Sequence, residues 1–109
     1  MTQQCETGAD LVLTIHEGED VSGAILSQVI LTCCPLGGTH PHLADAYSAI
    51  TAVDGKFENL PIIPGICPEI FAPVTVEATG VWDEQPVAYS RTFTNHCRAN
   101  RGTNNVFDF

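Results

Sequence analysis

The side chains with chemical potential in this 109-residue chain are five cysteines (Cys5, Cys33, Cys34, Cys67, Cys97) and four histidines (His16, His40, His42, His96). A zinc site built from them needs helix or knuckle spacing, such as C-x₂-C with H-x₃-H. The adjacent pair Cys33–Cys34 and the His40-Pro41-His42 run do not supply it, so no metal is expected. A Cys–His pair is also the raw material of a thiol nucleophile. However, the chain has no G-x-S-x-G, no H-E-x-x-H and no glycine-rich phosphate loop. The cysteines are better read as disulfide partners, and neither an enzyme nor a cofactor is expected. So many cysteines in a small chain mark a stapled, secreted domain, and the odd count leaves at least one thiol unpaired within the chain. The polar stretch Met1–Asp10 does not read as a signal peptide. The expectation is a secreted protein whose signal segment is absent from this sequence.

A second feature points to recognition rather than catalysis. Gly65-Ile66-Cys67-Pro68-Glu69-Ile70-Phe71-Ala72-Pro73 lies in a stretch, residues 57–73, that holds four prolines and no clean hydrophobic period. Proline fixes φ and biases the residue before it toward extended backbone, so this segment has little conformational freedom to lose. Cys67 can pin it to the body. Ile66, Glu69, Ile70 and Phe71 are unusual for a solvated loop and suggest a binding surface. A buried crossover segment would also be apolar, so composition leaves both readings open.

The elements around this loop follow from pattern. Leu11, Leu13 and Ile15 alternate, and residues 28–34 are apolar and β-branched, which predicts two antiparallel strands with a long connection. Residues 35–41 read as a loop by composition. Leu43, Ala46, Tyr47, Ile50 and Val53 recur at helical spacing, with Pro41 and Asp45 suited to the helix start. Val74, Val76 and Ala78 alternate with Thr75, Glu77 and Thr79. Trp82 is placed in a turn as a core or hairpin anchor, Val87–Thr94 returns as a strand, 95–105 holds a short helix or turns, and Val106–Phe109 reads as a last short strand. The sum is an α+β domain, an antiparallel sheet with a helix packed on it, spanning 11–109 after a flexible segment at 1–10. The formal charge of −9, from 13 acidic and 4 basic residues, argues against nucleic acid and anionic membranes. No apolar run approaches the ~20 residues of a membrane span.

Several stretches in order, LVLT at 11–14, VILTC at 29–33, GTHP at 38–41, CP at 67–68, GVW at 80–82, Y-x-R-x-F-x-N-x-C at 89–97 and the terminal VFDF, make the chain resemble the Streptomyces subtilisin inhibitor family. The resemblance implies a five-stranded antiparallel sheet with two helices on one side. It implies homodimers joined through their sheets, and a serine protease partner met by a substrate-like loop. Carried over by position, it implies a Cys67–Cys97 disulfide, a reactive loop over Gly65, Ile66, Cys67, Pro68, Glu69, Ile70, Phe71 and Ala72, a scissile bond at Glu69–Ile70, and loop support from Asn95. Two departures matter. The family's second bridge cannot form, because Tyr47 occupies one of its positions; a replacement from Cys5 to Cys34 or Cys33 is expected, Cys34 being preferred. Glu69 is acidic where the family usually has Met, Lys or Arg-like residues, which points to a glutamate-accepting protease or a subtilisin with a roomy pocket. The competing readings are a non-inhibitory structural or binding domain on the same fold, and a metalloprotease inhibitor acting through another surface.

Overall fold

A computed structural model describes residues 8–33 and 35–109. Its strands are β1 (Ala9–Glu17), β2 (Ile25–Cys33), β3 (Gly37–Gly38), β4 (Val74–Trp82) and β5 (Gln85–Phe93), and its helices are α1 (Leu43–Ala52) and α2 (His96–Gly102), with one 3₁₀ turn at Phe57–Asn59. The five strands form one sheet in the order β3-β2-β1-β4-β5, with every neighbouring pair antiparallel.

The alternation in the sequence sets the inner face. Leu11, Leu13 and Ile15 of β1, Val29, Leu31 and Cys33 of β2, and Val74, Val76 and Ala78 of β4 are all buried. Because side chains alternate across a strand, the paired register keeps these residues on a single face. Ala46, Tyr47, Ala49 and Ile50 of α1 and Ala99 of α2 join the same core, so both helices cover that face. Trp82 closes β4 rather than sitting in a turn; it is buried with its ring 5.4 Å from that of Tyr47. The turn that follows is Asp83–Glu84, both at positive φ. Two left-handed residues match the twist of a tight hairpin.

Three expectations need correction. The first strand begins at Ala9, inside the segment 1–10 expected to precede the domain; residues 1–7 lie outside the described part of the chain. The fifth strand is not Val106–Phe109 but Gly37–Gly38, which composition assigned to a loop. Glycine permits this edge: a Cβ on Gly38 would stand 2.0 Å from the Ile30 carbonyl oxygen. The C-terminal backbone is instead consumed by local turns, with Val106 N–H donating to Thr103, Asp108 N–H to Asn105, and Asn104 and Asn105 at positive φ. Its apolar side chains still reach the core, where Val106 and Phe107 are fully buried.

Two buried histidines hold the periphery. His40 Nε2–H donates to the Val106 carbonyl at 2.7 Å, while Nδ1 accepts the His42 amide at 2.9 Å. That pair of roles requires the neutral ring, and burial pushes its pKa down. His16 lies on the outer sheet face between the Gly23 carbonyl at 3.0 Å and the Glu77 carboxylate at 2.8 Å. Burial opposes its charge, but Glu77, Gly23 and Asp20 outweigh it and raise its pKa. Among the described residues no helix is long and apolar enough to cross a membrane, and no cluster of His, Cys, Asp and Glu is placed to hold a metal ion.

Candidate functional site

Residues 60–73 contain neither helix nor strand. Their prolines hold the backbone extended and withhold the amides a ladder would need. Leu60 enters the core, but the large apolar side chains around the centre of the loop are exposed: Ile66 is 93% exposed, Phe71 73% and Ile70 57%. Gly65, Pro68, Glu69 and Ala72 are exposed as well, and Cys67 is half-buried. This excludes the buried-crossover reading of the same composition. Large exposed apolar groups on stiff backbone form a surface whose burial awaits a partner.

The end of β5 and the short helix α2 hold the loop from beneath. Cys67 is disulfide-bonded to Cys97, across a Cα–Cα distance of 5.8 Å. Asn95 is buried and caps α2, its side-chain oxygen accepting the Arg98 amide at 2.9 Å. With the oxygen so used, the side-chain nitrogen faces the loop. It donates to the Pro68 carbonyl at 3.1 Å and to the Ile70 carbonyl at 2.9 Å. One amide group thus holds the carbonyls on both sides of Glu69, and the Glu69–Ile70 bond lies between the two anchors. Downstream, Ala72 N–H donates to Thr94 at 2.9 Å and Gly18 N–H to Pro73 at 2.9 Å, joining the loop to the sheet. Upstream, Ile63 N–H donates to Arg101 at 2.8 Å. A cavity of about 470 Å³ opens beside the loop, bordered by Ile70, Phe71, Phe93, Asn95 and Arg98.

The sequence reading therefore placed the loop residues, Cys97 and Asn95 together, and the structure brings them within bonding reach of one another. It did not identify Thr94 or Arg101. Arg101 was findable, because it lies four residues after Cys97 on a helix and so shares the face that meets the loop. Cys33 is disulfide-bonded; the expected bridge from Cys5 to Cys34 or Cys33 falls on Cys5 and Cys34, which lie outside the described residues.

The arrangement can present a peptide bond in extended form and keep both sides of it in place. Over most of its length the chain is similar to known proteins. A family model described as subtilisin inhibitor-like matches residues 7–95. Protease inhibitor SIL-V2 of Streptomyces orinoci is 44% identical over 91% of this chain and 94% of its own length. Subtilisin inhibitor-like protein 7 of Streptomyces ambofaciens is 40% identical over the same shares. Among solved structures, Streptomyces caespitosus sermetstatin, crystallised in complex with Bacillus licheniformis subtilisin, superposes with a TM-score of 0.77 at 32% identity, covering 94% of this chain and 99% of the other.

Proposed function

Because this chain belongs to the subtilisin inhibitor-like family, we propose that it inhibits subtilisin-type serine endopeptidases by offering Glu69–Ile70 as a substrate bond that is hardly turned over. The observation that carries this reading is the Asn95 side chain, whose nitrogen holds the Pro68 and Ile70 carbonyls while Glu69, Ile70 and Phe71 stay exposed.

The physical account has two parts. An extended loop can add main-chain hydrogen bonds to the enzyme as a short strand would. Since its prolines, bridge and hydrogen bonds have already ordered it, binding forfeits little conformational entropy. After attack on the Glu69 carbonyl, a flexible substrate would lose the new amine of Ile70. Here Asn95 and the Ala72–Thr94 hydrogen bond keep that amine beside the acyl group. Religation then competes with hydrolysis.

Glu69 would enter the enzyme's primary specificity pocket. Burying a carboxylate there is unfavourable unless the pocket pairs or hydrates it. The natural target is therefore a protease with a glutamate-accepting pocket, or a subtilisin with room for water. The protein acts outside the cell, where its disulfides persist. It pairs as a homodimer through the outer sheet face, where Ile30 and Val81 are exposed.

Titration against subtilisin and a glutamate-specific serine protease tests the reading. Tight inhibition of at least one is expected, with slow cleavage giving a new N-terminus at Ile70. Glu69→Met should shift preference toward subtilisin. Rapid complete digestion by both enzymes, or unchanged inhibition of every protease by Glu69→Met, would overturn the assignment of the contact residue.

A further inference from the structure

Resting on the reading of Glu69–Ile70 as the presented bond, we propose that Arg101 is a second positioning residue of the loop, holding its upstream shoulder at Pro64–Gly65 as Asn95 holds the bond itself. Arg101 touches the shoulder three times in succession. Its main-chain carbonyl accepts the Ile63 amide at 2.8 Å. Its guanidinium Nη1 donates to the Pro64 carbonyl at 3.1 Å. Gly65 then lies against the guanidinium, so that a Cβ there would stand 2.4 Å from both Cζ and Nη1. Glycine suits position 65 on two counts: its φ of +158° is one that L side chains rarely adopt, and the absence of a Cβ lets the backbone lie against the guanidinium. Arg101 is half-buried: its Nε is covered and meets no acceptor among the described residues, while the bond from Nη1 lies at the surface.

The three tethers run in opposite order along loop and helix. Arg101 takes 63–65, Cys97 takes Cys67, and Asn95 takes the carbonyls of 68 and 70. Ile66 emerges between the first two and is the most exposed large apolar side chain of the loop. With residue 65 held on one side and Cys67 on the other, Ile66 has its backbone direction set before any enzyme arrives. Arg101 therefore extends the ordered part of the loop upstream of the bond. It contributes to inhibition by removing an ordering cost that the complex would otherwise carry.

The test compares Arg101→Ala, Arg101→Lys and Gly65→Ala with the parent chain. Nitrogen-15 relaxation of Ile66 in the free protein is the direct readout. Arg101→Ala should make Ile66 more mobile, while the Ile63 amide, bonded to the main chain of residue 101, keeps its exchange protection. Gly65→Ala should also loosen Ile66, both by pushing the guanidinium aside and by straining the backbone at its φ of +158°. Arg101→Lys should restore part of the order. In parallel, cleavage at Glu69–Ile70 should rise and inhibition weaken by roughly tenfold in Arg101→Ala, the scale of one hydrogen bond to a charged group. Ile66 mobility unchanged in Arg101→Ala would overturn the proposal, whatever Gly65→Ala does. If the parent chain inhibits no serine protease, the functional reading falls, and the strut still stands or falls on the Ile66 relaxation data.

Discussion

The dual role of Asn95 can be taken apart by one substitution. Asn95→Asp keeps an oxygen to accept the Arg98 amide, so the α2 cap survives. It replaces the side-chain nitrogen with a second oxygen, which then faces the Pro68 and Ile70 carbonyls without a hydrogen to donate. Two hydrogen bonds vanish, each contributing about 0.5–1.5 kcal/mol. The loop should lose about 1–3 kcal/mol of ordering, corresponding to roughly 5- to 150-fold weaker inhibition. The fold itself should change little, because the cap remains and the disulfide still tethers the loop. Asn95→Ala removes brace and cap together and should cost about 1 kcal/mol more in global stability. The assay pairs an inhibition constant for subtilisin with mass-spectrometric timing of cleavage at Glu69–Ile70, and urea midpoints report the fold. If Asn95→Asp inhibits and resists cleavage as the parent does, the amide bracket is not what retains the bond, and the reasoning fails.

Other perturbations separate the remaining contributions. Replacing Cys67 and Cys97 by serine opens a link across 30 residues of sequence; chain entropy assigns such a loop about 3–4 kcal/mol. The urea midpoint should fall accordingly and the loop should be digested as an ordinary substrate, so a variant that stays stable and inhibitory would count against the bridge. Gly55→Ala should destabilise by about 1–3 kcal/mol, since φ is +76° and the new Cβ would stand 2.5 Å from Trp82 Cδ1; an unmoved midpoint would contradict that packing. The two buried histidines should act in opposite pH directions. The folded pKa of His16 is raised, so its contribution is complete below the unfolded value of 6.5 and is lost as pH rises through the folded value. His40 is lowered, so its contribution is present above 6.5 and is lost as pH falls through the folded value. Urea midpoints across pH should show the alkaline loss removed in His16→Gln and the acid loss removed in His40→Gln, and parallel curves for parent and variants would refute both assignments.

Periodicity by itself determined the inner face of the sheet and the helix that covers it. Leu11, Leu13 and Ile15, or Val74, Val76 and Ala78, can share a side only on extended backbone, and Ala46, Tyr47 and Ile50 only on a helix. Composition alone also marked 65–73 as stiff and unusually apolar, because proline acts through local sterics and needs no neighbour. What local pattern could not decide was everything that depends on a distant partner. Gly37–Gly38 becomes an edge strand because Leu31 and Thr32 are there to pair with it. Val106–Phe109, although it reads as a strand, spends its amides on turns and its side chains on the core. The exposure of Ile66 and Phe71, the Asn95 amide spanning the two carbonyls, and the guanidinium beneath Gly65 likewise exist only once α2 lies under the loop. Backbone preference is written residue by residue, whereas the tethers that turn a stiff segment into a held one belong to pairs of residues some 25 to 40 positions apart.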